Sequence, residues 1–232
     1  MKIIALIPAR GGSKRLPKKN IVSFCGRPLI EWTIRFALNS GVFTGVYVST
    51  DDIDIADISV QSGALTINRP ENLASDYSTT AEVAYHAYLY LADSLVFDWM
   101  CILQPTSPLR PASLMSQVRS CLSKISSYDS IMTVSECKHK IGRISPNGHF
   151  QTLGYKLGQR SQDVDFFYYE NGLMYVVSAE LLIRKRIFGD RVLTIETDQI
   201  YNLDIDDWVD LQIGEFMFQA NKEKFAYLLE ES

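Results

Sequence analysis

The 232-residue sequence contains few of the residues from which disulfide scaffolds and histidine metal sites are built. Its four cysteines form no CxxC pair and no regular framework, and its three histidines are scattered. No apolar run approaches the roughly eighteen residues of a membrane span. The first residues also lack the charged start, long apolar core and small-residue cleavage site of a signal peptide. We therefore expect free thiols, a cytoplasmic location and no membrane partner.

The sequence also lacks a surplus of positive charge. Its 23 Lys and Arg residues against 27 Asp and Glu residues give a formal net charge of −4, whereas binding to nucleic acid usually requires a broad basic face. No nucleic-acid partner is therefore expected. The phosphate-binding motifs GxGxxG and GxxxxGKS/T are absent too, which argues against an NAD enzyme and a P-loop ATPase.

The most informative stretch is IPARGGSKRLPKKN, residues 7–20, which directly follows the apolar run 3–6. The apolar run predicts a buried first strand, and Pro8 with the glycine pair predicts a loop at its end. Glycines can take positive φ and let backbone N–H groups approach a ligand, while Arg and Lys supply full charges. A solvated basic loop is the structural alternative, but open α/β sheets bind ligands at such strand ends. The stretch predicts a polyphosphate cradle built from Arg10, Gly11, Gly12, Lys14, Arg15, Lys18 and Lys19.

Hydrophobic periodicity predicts alternating strands and helices along the chain. This order predicts an α/β fold, a Rossmann-like and mostly parallel sheet with helices on both faces. The length and the 47% hydrophobic composition suit a single domain spanning 1–232. Strands are predicted at 3–6, 45–50, 64–68, 99–103, 130–136 and 192–197, and helices at 28–38, after Asp52, from Thr79 or Thr80 to Leu91, at 112–125 and after Asp206.

Residues 137–167 break this alternation. They contain turn signals such as Pro146, Asn147 and Gly148 and show only weak helical periodicity. This pattern predicts an inserted β-rich flap.

Two loops that follow later strands carry polar residues. The strand 64–68 leads to Arg69 and then to a helix start, where Glu82 falls close to capping-box spacing. As structure alone, this is a capped helix after a turn. Gln104 stands at the end of the apolar run 99–103, where a polar side chain faces the crevice of a parallel sheet. A buried glutamine bonded to the backbone is the structural alternative.

An acidic cluster lies near the C-terminal end. Asp204 and Asp206 are two residues apart on an extended segment, so their carboxylates point the same way and can share one hard cation. Asp207 and Asp210 fit the first turn of the following helix, where the macrodipole favours anions. Helix capping is the structural alternative for the first pair.

The loop ARGGSKRLPKKN resembles the signature loop of the CMP-sialic acid synthetase, or acylneuraminate cytidylyltransferase, family. Later segments match that family in the expected order: RP followed by LASD, then QPTSPLR, then NGLMYVVS and DID. The resemblance implies that NGLMYVVS, residues 171–178, is a strand. The resemblance implies the nucleotide-diphospho-sugar transferase type of this fold. It also implies a reaction of CTP with a 2-keto sugar acid that gives the CMP-sugar and pyrophosphate. N-acylneuraminate is the first candidate acid, with legionaminate, pseudaminate or a Kdo-type acid as alternatives.

The resemblance also implies a cofactor, a partner and residue roles. Mg²⁺ is expected on Asp204 and Asp206, and the flap 137–167 is expected to be a dimerisation arm that makes the protein a homodimer. Catalytic roles fall on Arg10, Lys19 and Asp206, the last as candidate base. The nucleotide is expected to bind Arg10, Gly11, Ser13, Lys14, Lys19, Asn20, Arg69 and Thr80, and the sugar to bind Gln104, Lys140, Arg160, Asn171, Tyr175 and Phe188.

Several positions depart from the family pattern and leave the sugar open. Tyr168, Tyr169 and Glu170 stand where Arg and Pro are common, and Arg15 stands where Gly is frequent. Two other functions stay open as alternatives. One is a glycosyltransferase that uses LDID as its metal motif, and the other is a catalytically silent regulator that binds CTP.

Overall fold

The computed structural model describes residues 1–122, 128–165 and 167–229. Its strands are β1 (Ile3–Pro8), β2 (Ser23–Phe24), β3 (Arg27–Pro28), β4 (Gly45–Thr50), β5 (Leu65–Asn68), β6 (Trp99–Ile102), β7 (Ser130–Cys137), β8 (Gly142–Ile144), β9 (Phe150–Thr152), β10 (Phe167–Ser178) and β11 (Val192–Glu196). A seven-stranded sheet forms the centre, in the order β11, β7, β10, β6, β1, β4, β5. Two pairs of short strands, β2 with β3 and β8 with β9, lie outside that sheet.

Helices cover both faces of the sheet, as predicted. Along β1, Ala5 and Ile7 pack into one core cluster with Trp32 and Val118, while Leu6 packs on the other side with Ala87. This alternation places successive side chains of a fully buried strand on opposite faces. The helices are α1 (Leu29–Asn39), α2 (Ile53–Gln61), α3 (Thr80–Ala92), α4 (Leu114–Leu122), α5 (Ala179–Ile183), α6 (Trp208–Ala220) and α7 (Lys222–Phe225).

The sheet is mostly parallel, with one reversed strand. β1 runs parallel to β4 and β6, β5 parallel to β4, and β11 parallel to β7, whereas β10 is antiparallel to both β6 and β7. The reversal has a topological reason. β7 returns to β10 through the segment 137–167 rather than through a crossover helix, and neighbours joined without such a helix pair antiparallel.

Helix caps agree with the sequence patterns. Thr79 is the N-cap of α3 and forms a capping box with Glu82, so the helix begins at Thr80. Asp207 caps α6 and forms a second box with Asp210, which places both in the first turn as predicted. These caps satisfy backbone N–H groups that have no partner within the helix.

Some predicted boundaries shift. The predicted helix 112–125 is observed as α4, and residues 123–125 lie outside the described residues. The strand expected at 171–178 starts earlier, at Phe167, because β7 extends to Cys137 and pairs with it. All four cysteines are free thiols. Within the described ranges, none of the helices is long and apolar enough to span a bilayer.

The segment 137–167 contains the β8–β9 hairpin and a short 3-10 helix, Ser161–Asp163. The hairpin turn closes with the Gly148 N–H donating to the Ser145 carbonyl, and Gly148 has φ of 79°. Residue 166 is outside the described residues. That this segment is an insert in one domain stays a prediction.

Candidate active site

A pocket of about 460 Å³ lies at the carboxyl ends of β1 and β6, beside the start of α3. Parallel sheets of this kind place their ligand sites at such strand ends. Ten of the predicted site residues line it: Arg10, Ser13, Lys14, Arg15, Lys19, Asn20, Arg69, Thr80, Gln104 and Asp206.

The loop after β1 is shaped by one buried anchor and one left-handed residue. Leu16 is completely buried in the core, and Lys18 takes φ of 53° at the start of a 3-10 turn, Lys19–Ile21. The Lys19 N–H donates to the Leu16 carbonyl at 3.1 Å. This turn directs Lys19 and Asn20 into the pocket.

Gly11 and Gly12 do not have the backbone conformation for which glycine was expected at these positions. Neither Gly11 nor Gly12 takes a positive φ, so conformational freedom is not what the loop needs at these positions. Gly11 instead packs against the N-cap of α2: an added Cβ would lie 2.5 Å from the Asp52 carboxylate. Its N–H donates to Asp51 Oδ1 at 3.1 Å. Gly11 therefore lies behind the pocket wall rather than in its lining.

One ion-pair cluster joins this loop to the segment before α3. Arg10 and Lys14 both donate to the Asp76 carboxylate, at 2.7 Å and 2.5 Å. The hydrogen bonds from Lys14 and Arg10 lower the pKa of Asp76 below its ordinary value. Two of the predicted phosphate-binding cations thus share one carboxylate.

A second cluster joins the same loop to the segment before α6. Lys19 Nζ lies 2.7 Å from Asp206 Oδ1, and Arg15 lies 2.5 Å from Oδ2. Partial burial alone would raise the pKa of Asp206, but the hydrogen bonds and charges of Lys19 and Arg15 outweigh it and lower the pKa. The segment is held by the Ile205 N–H, which donates to the Thr106 carbonyl at 2.8 Å.

Three further residues predicted to bind the nucleotide, Asn20, Arg69 and Thr80, also line the pocket. Buried Arg69 donates to the Ser49 carbonyl and hydroxyl, at 2.6 Å and 3.1 Å, and desolvation lowers its pKa to about 10. Buried Asn20 donates to the Arg10 carbonyl at 2.8 Å. Since Thr79 makes the helix cap, the Thr80 hydroxyl has no hydrogen-bond partner among the described residues. Arg69 keeps further N–H donors and Asn20 keeps its amide oxygen for a ligand.

Gln104 follows β6 and lines the pocket. Its carbonyl accepts from Arg110 Nη2 at 2.7 Å and from the Ser107 N–H at 3.2 Å. Its side-chain amide forms no hydrogen bond within the described part of the chain. The backbone of Gln104 is therefore fixed while its side chain is available to a ligand.

The other predicted sugar residues do not line this pocket. On the flap, Arg160 pairs with Asp163 at 2.7 Å, and Lys140 donates to the Gln159 carbonyl. Tyr175 packs edge-on against Phe188, with ring centroids 5.3 Å apart.

Asn171 is also outside the lining. It is buried in a polar network and donates to Ser135 Oγ at 2.9 Å and to Thr197 Oγ1 at 2.7 Å. Its side chain is committed to joining three segments of the protein. The ligand roles of Lys140, Arg160, Asn171, Tyr175 and Phe188 stay predictions.

The predicted cation site has the right chemistry for a shared metal. Buried Leu203 and Ile205 alternate with Asp204 and Asp206, so both carboxylates are on the outward side of the segment. Asp206 lines the pocket and Asp204 is exposed beside it. Across the described ranges, no group of three or more acidic, His or Cys side chains is arranged to hold a metal. The pair fits Mg²⁺, which needs only one or two carboxylates when phosphates and water complete its shell.

One charged residue of the lining, Asp76, was missed from the sequence. Asp76 was part of the LASD match, but its position as the partner of Arg10 and Lys14 carries no local signal. Arg15 was predicted as part of the polyphosphate cradle and does line the pocket. Its pairing with Asp206 was not predicted, because it depends on residues distant in sequence.

Comparisons with known proteins agree with this geometry. A family model described as "Cytidylyltransferase" matches residues 4–229. A pseudaminic acid cytidylyltransferase of Campylobacter jejuni is 32% identical, over 96% of this chain and 99% of that protein. An N-acylneuraminate cytidylyltransferase of Escherichia coli O18:K1:H7 is also 32% identical, over 92% of this chain, but this chain spans only 51% of it.

Solved structures confirm the predicted fold class. A CMP:2-keto-3-deoxy-manno-octonic acid synthetase complexed with CTP has a TM-score of 0.71 at 14% identity and covers 95% of this chain and 99% of its own. A 4-diphosphocytidyl-2C-methyl-D-erythritol synthase from Anaerococcus prevotii has a TM-score of 0.66 at 12% identity, over 94% and 98%. At these identities the likeness concerns the fold alone.

Proposed function

The chain belongs to the cytidylyltransferase family, and on that premise we propose that it joins CTP to a 2-keto sugar acid, releasing pyrophosphate. The observation that carries the proposal is the composition of one pocket. Arg10, Lys14 and Lys19 line it together with Arg69 and Asn20, and Asp206 lies beside Lys19. A triphosphate and a pyrimidine base need these two kinds of partner, cations and directional hydrogen-bonding groups.

The proposed reaction is a displacement at the α-phosphate of CTP. The anomeric hydroxyl oxygen of the acid forms a bond to that phosphorus as the bond to the bridging oxygen of pyrophosphate breaks. Arg10, Lys14 and Lys19, with the Ser13 hydroxyl, stabilise the charge that builds on the leaving pyrophosphate. The hydroxyl proton goes to a base, for which Asp206 is the candidate.

Asp206 can act as this base only when Lys19 and Arg15 no longer pair with it. In the ligand-free protein, Lys19 and Arg15 lower its pKa, which makes it a weak proton acceptor. A triphosphate that draws these cations away raises the pKa again and frees the carboxylate. Asp204 and Asp206 would also hold Mg²⁺, which when bound neutralises charge on the phosphate oxygens.

We propose a nine-carbon keto acid as the sugar, with N-acylneuraminate as the first candidate. The similarity to an N-acylneuraminate cytidylyltransferase over 92% of this chain supports it. Pseudaminate is the second candidate, because the relative with that printed activity matches this chain over 99% of its own length. Legionaminate and Kdo-type acids complete the set to be tested.

We also propose that the protein is a homodimer joined by the flap 137–167. The flap exposes Ile144 and Leu157 to about three quarters, at 76% and 74%. The adjoining face of β10 exposes Tyr168 next to acidic side chains that include Glu196. A basic flap from a second copy complements that acidic, aromatic face in charge and in apolar surface. Lys140 and Arg160 would then reach the partner's sugar.

The dimer is tested by the molar mass in solution. Leu157→Glu should shift the protein from dimer to monomer in sedimentation, whereas the exposed but distant Val96→Glu should not. A wild type that sediments as a monomer at micromolar concentration would remove this proposal. The free thiols fit a reducing compartment, so we place the reaction in the cytoplasm.

The reaction is tested by measuring pyrophosphate release from CTP with Mg²⁺ across the four acids. Release with one acid supports the proposed class and names the substrate. CTP binding without release across the panel would instead favour a different acceptor or a regulatory role. Binding of a nucleotide sugar in place of CTP would favour the glycosyltransferase.

A further inference from the structure

Asp76 lies in the segment between the 3-10 turn Glu71–Leu73 and the start of α3. Its carboxylate faces the loop after β1 across the pocket, where it accepts from Arg10 Nη2 and Lys14 Nζ. Arg10 Nη1 also donates to the Ala74 carbonyl at 3.5 Å. Two pocket walls are therefore tied together through Arg10 and Lys14.

The Asp76 side chain has no visible part in building its own segment. Its carboxylate is 37% exposed and accepts from no backbone N–H in the described chain. The segment is held by other bonds: Ser75 Oγ to Ser78 Oγ at 2.9 Å, and the capping box of Thr79 with Glu82. The only partners of this carboxylate among the described residues are the two cations.

Carboxylate and phosphate oxygens compete for such donors. Both accept charge-assisted hydrogen bonds from guanidinium and ammonium groups, and with similar geometry. Arg10 and Lys14 cannot direct the same N–H groups to Asp76 and to a triphosphate. A triphosphate that takes these same N–H groups therefore displaces Asp76 from them.

We propose that Asp76 is an affinity-determining residue: it holds Arg10 and Lys14 in the empty pocket and competes with the triphosphate of CTP for them. Binding of CTP then exchanges one set of ion pairs for another and releases the tie between the loop after β1 and the segment before α3. The net binding free energy of CTP is therefore less favourable than the phosphate contacts alone would make it. This inference rests on the proposed function, since it takes CTP to bind through Arg10 and Lys14.

The same loop offers a matched control. Lys18 pairs with Asp54 at 2.8 Å, and neither residue lines the pocket. Asp54→Asn removes one carboxylate that pairs with a cation of this loop, as Asp76→Asn does, but it breaks one ion pair rather than two and frees no cation inside the pocket. The two variants change the net charge of the protein equally.

The experiment is calorimetric titration of the whole protein with CTP and, separately, with inorganic pyrophosphate. Asp76→Asn should lower the Kd for both by about threefold to tenfold, the range expected for releasing two partly exposed ion pairs. Its affinity should also fall more steeply with added salt, because more new charge contacts form on binding. Asp76→Glu, which keeps the competing charge, and Asp54→Asn should stay within about twofold of wild type.

A double-mutant cycle assigns the gain to the released cations. Lys14→Gln should weaken CTP binding. In that background, Asp76→Asn should increase the affinity for CTP by a smaller factor than it does in the wild type. An equal gain in both backgrounds would overturn the competition, because it would point to net charge alone.

The outcomes separate this inference from the proposed function. If the wild-type protein fails to bind CTP, that result contradicts both the proposed function and the competition. A wild type that binds CTP while Asp76→Asn binds equally or more weakly overturns the competition alone and makes Asp76 a residue that orients the cations for the ligand. Melting curves of each variant check that the fold is retained.

Discussion

Lys19 Nζ donates to Asp206 Oδ1 at 2.7 Å and so joins two residues that are 187 positions apart in sequence. The Lys19 side chain is only 16% exposed, whereas that of Asp206 is 33% exposed. This pair closes the pocket between the loop after β1 and the segment before α6. It also places a carboxylate that can accept a proton beside an ammonium group that can bind a phosphate.

Asp206→Asn should reduce turnover far more than it reduces CTP affinity. The amide cannot accept the hydroxyl proton, and loss of a positioned base typically lowers rates by about 10²–10⁴-fold. CTP affinity should not fall, because the change leaves Lys19 and Arg15 free for phosphate. The measurement is kcat from pyrophosphate release beside the Kd of CTP from calorimetry. Near-normal turnover in the variant would contradict a catalytic role for Asp206.

The same residue should make stability depend on pH. The pKa of Asp206 in the folded protein lies below its ordinary value of 3.8. Its ion pairs therefore add stability above that value, and the contribution is lost as the pH falls through the folded pKa. At pH 7, Asp206→Asn should lower the free energy of unfolding by about 0.5–1 kcal/mol, a modest amount because the pair is partly exposed.

Urea unfolding of both proteins at pH 7 and near pH 3 checks this dependence. The difference between wild type and Asp206→Asn should shrink at the lower pH. Asp204→Asn serves as the control, since Asp204 has no ion pair among the described residues. A difference that persists unchanged in acid would show that the pair does not carry it.

Gly11 and Gly12 should respond differently to the same substitution. Gly11→Ala would place a Cβ 2.5 Å from Asp52 Oδ2, on the residue that caps α2. Overpacking of this kind costs about 1–3 kcal/mol, and the shift should also raise the KM for CTP. Gly12→Ala meets no atom within 4 Å and should be close to neutral. Equal effects of the two variants, in melting temperature and in KM, would mean that Asp52 simply moves aside.

Local patterns predicted most of the fold. The capping box of Thr79 with Glu82 is encoded within four residues, and the buried strand β1 within six, so both can be identified from a short stretch of sequence. The direction of β10 could not be. An apolar run predicts a strand but not which neighbour it pairs with, and here the reversal depends on the return path through the flap.

The candidate site, too, was only partly predictable from the sequence. The cations of the loop after β1 and the polar residue at the end of β6 were predictable, because strand ends of parallel sheets meet at one edge. The ion-pair partners were not, since Asp76 and Asp206 come from segments that only the tertiary fold brings to this loop. The reason for Gly11 was also hidden, because it depends on the close approach of Asp52 rather than on the backbone of the loop itself.

Arg110 should be among the least replaceable residues of the protein. It is fully buried and, within the described ranges, no carboxylate lies at ion-pair distance from it. Its guanidinium donates to the Leu173 carbonyl at 3.1 Å, to Thr33 Oγ1 at 3.0 Å and to the Gln104 carbonyl at 2.7 Å. Desolvation lowers its pKa to about 10, so it stays charged at neutral pH and its bonds are all charge-assisted.

Arg110→Met keeps much of the volume but leaves these three acceptors without their donor, which should cost about 2–4 kcal/mol of unfolding free energy. Arg184→Ala removes an exposed pair with Glu180 and should cost less than about 0.5 kcal/mol, which makes it the control. Arg110→Lys keeps the charge but cannot span three acceptors. Its loss of unfolding free energy should therefore lie between those of Arg110→Met and Arg184→Ala. Since Gln104 faces the pocket, the lysine variant should also raise the KM for the sugar acid more than the KM for CTP. An Arg110→Met protein as stable as the wild type would mean that water or a rearranged core satisfies those acceptors.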